Sequence, residues 1–246
     1  MRAAGALEDP HVDAAMGLHI WQDVPCGEVW VRDGTAMVGV TVFTITIYGK
    51  GGHGASPELT VDPIVVGSAV VSELLTLVSR ERSPVVPEVV TIGSFRSGNA
   101  HNVIPDTAVL QGPIHFVTPD QGKAVGARLK ALTEGIAAAM GARAEVDFVG
   151  SAPPLINDVE IARIVHDAAV EGFGAERVSR GNLMSVSEDF GEFLDPVPGC
   201  FFFVGSRNEA KGFVYGHHHP KFDIDEEGMA AGIEAMSRAA VKYLQG

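Results

Sequence analysis

The sequence predicts an α/β protein in which a ferredoxin-like unit interrupts an α/β layer. Three observations lead there. Residues 40–152 read in order as strand, helix, strand, strand, helix, strand, the order of two helices on one face of a four-stranded antiparallel sheet. Cys200-Phe201-Phe202-Phe203-Val204 is a continuous apolar run, expected of a strand buried on both faces with helices on each side. Residues 1–36 hold two short strand-like segments, too little to bury a core, so they must pack on something else. The expected divisions are 1–38, the end of a first part; 39–152, the inserted unit; and 153–246, a second part.

In chain order, Val12 to Trp21 reads as a strand, followed by a turn at Val24-Pro25-Cys26-Gly27 and a short strand from Glu28 to Val31. From Thr41 to Tyr48 residues alternate, with Phe43, Ile45 and Ile47 on one face. A glycine-rich loop, Gly49-Lys50-Gly51-Gly52-His53-Gly54, comes next. Asp62-Pro63 then starts a helix, since Asp caps and Pro suits the first turn; its stripe is Val66, Val70, Leu74, Leu77 and Val78. Val89 to Phe95 is a strand, 99–106 a loop, and Thr107 to Val117 a further strand. Thr118-Pro119-Asp120 opens a second helix, with Val125, Leu129, Leu132, Ile136 and Met140 inward, and Arg143 to Val149 closes the unit. Beyond it, Asn157 is expected to cap a helix and Ser187 to Phe190 to start a short one. Asp225 is expected to cap a final helix that buries Met229, Ile233, Met236, Ala240 and Leu244.

Composition narrows the partners. Acidic residues outnumber basic ones 31 to 18, a net charge of −13, which argues against nucleic acid or an anionic membrane as partner. No apolar run approaches the ~20 residues of a membrane span, and no signal-peptide core follows the first residues, so a cytoplasmic location is expected. Cys26 and Cys200 lack metal or redox spacing and read as reduced thiols. His217-His218-His219 stands at the end of an apolar run, stiffened by Pro220 and flanked by Asp223 and Asp225. It reads either as a seat for a zinc-like ion or as a solvated polar loop.

Five motifs then fall in order: Gly17-Leu18-His19-Ile20, Gly49-Lys50-Gly51-Gly52-His53, Asn102-Val103-Ile104-Pro105-Asp106, Glu188-Asp189-Phe190 and His218-His219-Pro220-Lys221-Phe222. Together they resemble the dinuclear-metal amidohydrolases of the peptidase M-twenty family, which includes hydrolases of hippurate, indole-acetyl-amino acids and N-acyl amino acids. The resemblance implies an α/β metallohydrolase catalytic domain interrupted by a ferredoxin-like lid that forms a homodimer contact. It implies two divalent metal ions, zinc or manganese, and hydrolysis of a small N-acyl amino acid or peptide-like amide by a metal-activated water. On that match His19 and His218 are metal ligands, and His53 is a lid residue stabilising the oxyanion. Asn102 and Glu188 contact substrate, with Asp189 beside them. Read from the residues alone, His19 is a buried strand histidine, His53 is incidental to a turn whose glycines serve positive φ, Asn102 is a turn-former and Asp189 a helix cap.

Two departures from the family pattern stand out. A Gly-Thr-x-Arg segment is replaced by Gly112-Pro113-Ile114-His115. Pro113 has no ladder donor, so its strand is expected at an edge or to carry a bulge, and His115 removes a permanent bidentate clamp for a carboxylate. The family's first metal-binding motifs, of His-x-Cys-Gly-His-Asp and Pro-Ala-Glu-Glu type, do not occur, so the chain is expected to be the C-terminal portion of a longer amidohydrolase. The competing expectation is a catalytically inactive dimerising or binding module that keeps the lid.

Overall fold

The computed structural model describes residues 4–246. The chain forms two compact units. One joins the residues up to Met37 to Leu155–Gly246, and the other is Val38–Pro154. The first unit begins with β1 (Ala15–Pro25), β2 (Val29–Trp30) and β3 (Gly34–Met37). The second holds β4 (Gly39–Tyr48), β5 (Gly52–His53), α1 (Pro63–Glu81), β6 (Val89–Val90), β7 (Ser94–Ser97), β8 (Val103–Ile104), β9 (Thr107–Phe116), α2 (Pro119–Ala139) and β10 (Arg143–Ala152). The first unit then resumes with β11 (Leu155–Asn157), α3 (Val159–Phe173), β12 (Val178–Ser179), α4 (Gly191–Leu194), β13 (Gly199–Arg207) and α5 (Glu227–Gln245).

In the first unit the sheet order is β1-β13-β2-β12, with β1 parallel to β13 from Ala15 opposite Gly199 to Trp21 opposite Gly205. The apolar run in β13 is buried on both sides. Its period of two sends Cys200, Phe202 and Val204 into a core with α3 and α5, and Phe201 and Phe203 into a second core with Ala36, Met37, Leu155 and Met184. Both helices therefore cover one face. The other is covered by the β3–β11 pair and by Phe190 and Leu194 around α4, rather than by the helix expected there. Full burial of each such side chain contributes roughly 1.5–3 kcal/mol.

Three helix starts differ from expectation; in α5 the capping position is Glu226 rather than Asp225, which still accepts from Glu227 N at 3.3 Å. The α3 cap is Asp158, whose carboxylate accepts from Glu160 N and Ile161 N, both at 2.9 Å. Asn157 is instead buried as a cross-link: its amide donates to Arg32 O (2.7 Å) and Phe201 O (2.9 Å) and accepts from Phe201 N (2.8 Å). The short helix α4 begins at Gly191, after the Glu188-Asp189 pair. In α5 the buried face is Gly228, Ala231, Gly232, Ala235 and Ala239. Met229, Ile233 and Leu244, expected inside, are exposed. Small side chains let α5 lie close to α3 and β13, and the bulky stripe is turned away.

In the second unit β10, β4, β9 and β6 pair in that order, β7 also pairs with β9, and every pairing is antiparallel. Phe43, Ile45 and Ile47 are fully buried against α1 and α2. Asp62 caps α1 by accepting from Ile64 N at 2.8 Å, and Thr118 with Gln121 closes a capping box on α2. By length and a mean hydropathy of 1.4, α1 could cross a membrane. Here Val66, Val70, Leu74 and Leu77 make it an amphipathic core helix.

The strand expected over 89–95 is split into β6 and β7. The reason lies in Pro113. Strand β9 is interior and keeps an unbroken register with β4, so it is neither an edge nor bulged. Pro113 O accepts from Thr91 N at 3.1 Å, so the side of Pro113 that lacks a donor faces the neighbouring strand where that strand breaks. Gly112 permits the close approach, since a Cβ there would lie 1.7 Å from Thr91 O.

Candidate functional site

In the first unit His19 sits on β1, and His217, His218 and His219 lie in the loop between β13 and α5. The histidines are not equivalent. His19 Nδ1 lies 2.5 Å from Ile20 O. A carbonyl only accepts, so this network assigns the proton to Nδ1 and leaves the Nε2 lone pair open, the arrangement a ligating imidazole requires. His217 is engaged. Its Nε2 accepts from Gln22 N at 3.2 Å, and its ring packs on Trp21 (4.5 Å between centroids), Phe222 (4.8 Å) and, edge-on, His19 (5.2 Å). Burial in this cluster, then the neighbouring His19, pushes its pKa down. His219 Nδ1 accepts from Lys221 N at 3.0 Å, and its ring stacks on Tyr215 at 4.5 Å and 10°. His218 has no hydrogen-bond partner among the described residues, is exposed, and stands at φ 64°, the positive-φ non-glycine of those residues. A non-glycine side chain in that region is uncommon and costs about 1–3 kcal/mol, a strain that gathers at functional positions.

A polar latch holds this loop, and sequence reading missed it. Gln22 is fully buried. Its amide donates to Phe213 O at 2.7 Å and accepts from Ser206 Oγ at 2.6 Å, while its backbone N–H reaches His217. The available signal was register: on β1, Gln22 shares its face with Ile20 and Val24, so a polar residue occupies an inward position. At the far end of the loop Asp225 is buried and accepts from Asn208 Nδ2 (2.6 Å) and Lys211 Nζ (3.1 Å). The Asn208 amide first and the Lys211 ammonium second hold its carboxyl below the usual range. Glu188 folds back, its carboxylate accepting from Asp189 N at 2.9 Å ahead of α4; the group of Asp189 that accepts from Glu192 N is its carbonyl, at 3.0 Å. Among the described residues no group of three or more His, Cys, Asp or Glu side chains is arranged to hold a metal ion.

In the second unit His53 and Asn102, 49 positions apart in sequence, are brought side by side. Strand β5 pairs with β8, placing His53 opposite Val103, and Gly54 N donates to Asn102 O at 2.9 Å. The glycines serve close approach and not positive φ: a Cβ on Gly51 would lie 2.7 Å from Ile104 O, and one on Gly54 3.0 Å from Asn102 O. His53 Nδ1 accepts from Ala55 N at 3.1 Å. That partner places the ring proton on Nε2, so His53 presents an exposed N–H donor, the opposite tautomer to His19. His115 on β9 is half-buried with Nδ1 unpartnered, and desolvation pushes its pKa down, so it supplies no permanent cation.

Residues 1–242 match the family described as Peptidase family M20/M25/M40. The chain belongs to this peptidase family. N-acetyl-L-cysteine deacetylase of Bacillus subtilis is 36% identical over 233 residues, which is 95% of this chain and 54% of that protein. A crystal structure from methicillin-resistant Staphylococcus aureus superposes with a TM-score of 0.91 at 33% identity, covering 99% of this chain and 62% of that one. Bacillus subtilis YXEP, described as a dinuclear metal binding peptidase from this family, gives a TM-score of 0.82 at 28% identity over 99% and 60%. The chain thus spans between 54% and 62% of the length of these family members.

Proposed function

We propose that this chain forms part of the active centre of a metal-dependent amidohydrolase that acts on N-acyl amino acids. The observation that carries the reading is the division of labour among the histidines. His19 keeps Nε2 open, His217 and His219 are engaged by backbone N–H groups, and His218 has no hydrogen-bond partner among the described residues. The substrate class is supported by the relative named for deacetylation of N-acetyl-L-cysteine. Two divalent ions, zinc or manganese, would supply Lewis acidity toward the amide carbonyl, with His19 and His218 each offering one imidazole. Two imidazoles fit such ions in donor type but fall short of a coordination sphere, so further donors and a general base come from polypeptide beyond this span.

This chain's own contribution is positioning and charge stabilisation. His53 Nε2–H donates to the carbonyl oxygen as it gains charge. Asn102, on the same ribbon, and Glu188, ahead of α4, are assigned to substrate contact. The β-α-β-β-α-β order of Val38–Pro154 supports a ferredoxin-like lid, which would carry a homodimer contact. The second reading, an inactive binding module, is favoured by the lack of a three-donor cluster among the described residues. Metal content and N-acetyl-amino-acid hydrolysis decide between them. They are measured on the purified chain and on the chain co-expressed with the metal-binding segment of a family member. Alone, it should bind metal weakly and turn over nothing; complemented, it should do both, and His19→Ala or His218→Ala should abolish the gain. Inactivity of a stable, metal-loaded complement would favour the binding module.

A further inference from the structure

We propose that Tyr215 is a positioning residue: stacked on His219, it clasps the turn that holds His218 in its left-handed backbone and so fixes the place of that imidazole. His219 N donates to Gly216 O at 3.2 Å, closing a turn over 216–219 with His217 and His218 at its centre. His218 stands at φ 64° and His217 is not among the positive-φ residues, which are the φ signs of a type II turn. Such a turn favours glycine at its third position. Here the glycine, Gly216, stands first, and the third position is His218. The turn is therefore held against local preference, by contacts on either side. Position 217 is anchored to the fold through Gln22, Trp21 and Phe222. Position 219 is exposed, and its ring stacks on Tyr215 at 4.5 Å and 10°. Tyr215 immediately precedes the turn and His219 ends it, so the stack joins the two ends. Lys221 N and Phe222 N donate to His219 Nδ1 and O, but these bonds tie it only to the residues that follow. Beside the turn's own hydrogen bond, the stack is what ties it back. Lys221 Nζ lies 5.6 Å from the Tyr215 ring centroid, within reach of its π face. The contacts of Tyr215 are made by its ring, and its hydroxyl has no hydrogen-bond partner among the described residues. A ligand already held in its binding conformation spares the complex that ordering cost. The inference rests on the proposed function only in taking His218 to be a metal ligand.

The test compares the full 13C,15N-labelled chain with its Tyr215→Ala and Tyr215→Phe variants. Without metal, positive φ at His218 is read from its one-bond Cα–Hα coupling and its intraresidue HN–Hα cross-relaxation. Zn2+ affinity is then read from the His218 ring resonances, and stability from urea denaturation. Tyr215→Ala should lose the positive-φ signature and bind Zn2+ at His218 about fivefold more weakly. Its urea midpoint should stay unchanged, because Tyr215 is exposed and outside the core. Tyr215→Phe keeps the ring and should match the wild type. A negative φ at His218 in the wild type, or a positive φ or Zn2+ affinity unchanged in Tyr215→Ala, would overturn the assignment. So would a loss shared by Tyr215→Phe, or one accompanied by a fall in the urea midpoint. Loss of positive φ in Tyr215→Ala, with no Zn2+ response in any form of the chain, would uphold the clasp and count against the metal reading.

Discussion

His19 and His53 show how much a single backbone partner decides. One imidazole meets a carbonyl and keeps a lone pair open; the other meets an N–H and keeps a donor open. The sequence singled out both residues, but only through motif resemblance, because a tautomer depends on a neighbour that motif spacing does not specify. Gln22 was invisible for the related reason that its partners, Ser206 and Phe213, lie more than 180 positions away. Gln22→Leu would leave a buried hydroxyl and carbonyl unpaired. It should destabilise the fold by about 2–4 kcal/mol, read from urea denaturation. Asp225 gives a pH-dependent effect at the other end of the loop. Its folded pKa is depressed, so its stabilisation is present above the unfolded value near ~3.9 and is lost as pH falls through the folded one. Asp225→Asn should therefore lower the melting temperature at pH 7 and do so far less at pH 3. A gap that widens in acid would contradict the assignment.

At the scale of elements, legibility followed periodicity. Strand β4 and helices α1 and α2 were readable because burial on one face imposes a repeat and because Asp62-Pro63 and Thr118-Pro119 are local start signals. Thr118→Ala should cost about 1 kcal/mol through loss of the α2 capping box, measurable by the same denaturation. Where expectation failed, a long-range contact had overridden the local pattern. Asn157 has the chemistry of a cap but is taken by the backbone of Phe201. Pro113 looks like an edge residue, yet the irregularity passes to the partner strand. In α5 two stripes compete, one bulky and one small. Close helix packing selects the small one, a choice that hydrophobicity alone does not reveal.

For the whole molecule, the second unit has a continuous core of its own, while the first carries unsatisfied surface. Strand β1 pairs only with β13 among the described residues, and Leu18, Ile20, Met229 and Ile233 line an open apolar groove of about 600 Å3 beside it. An open edge and an apolar groove together favour association. The purified chain should bind a hydrophobic dye and elute above monomer size in size-exclusion chromatography. Met229→Lys with Ile233→Lys should reduce both signals. A wild-type monomer that leaves the dye dark would show the groove to be closed in solution.

The central claim, that His19 and His218 are the imidazoles available to a metal while His217 and His219 are engaged, is tested most directly by long-range 1H–15N correlation spectra of the histidine rings during a Zn2+ titration. Before metal, His19 and His217 should appear as Nδ1–H tautomers, and His53 and His219 as Nε2–H tautomers. On addition of Zn2+, the Nε2 of His19 and a ring nitrogen of His218 should shift first. A His19 found with its proton on Nε2, or first shifts at His217 or His219, would contradict the account.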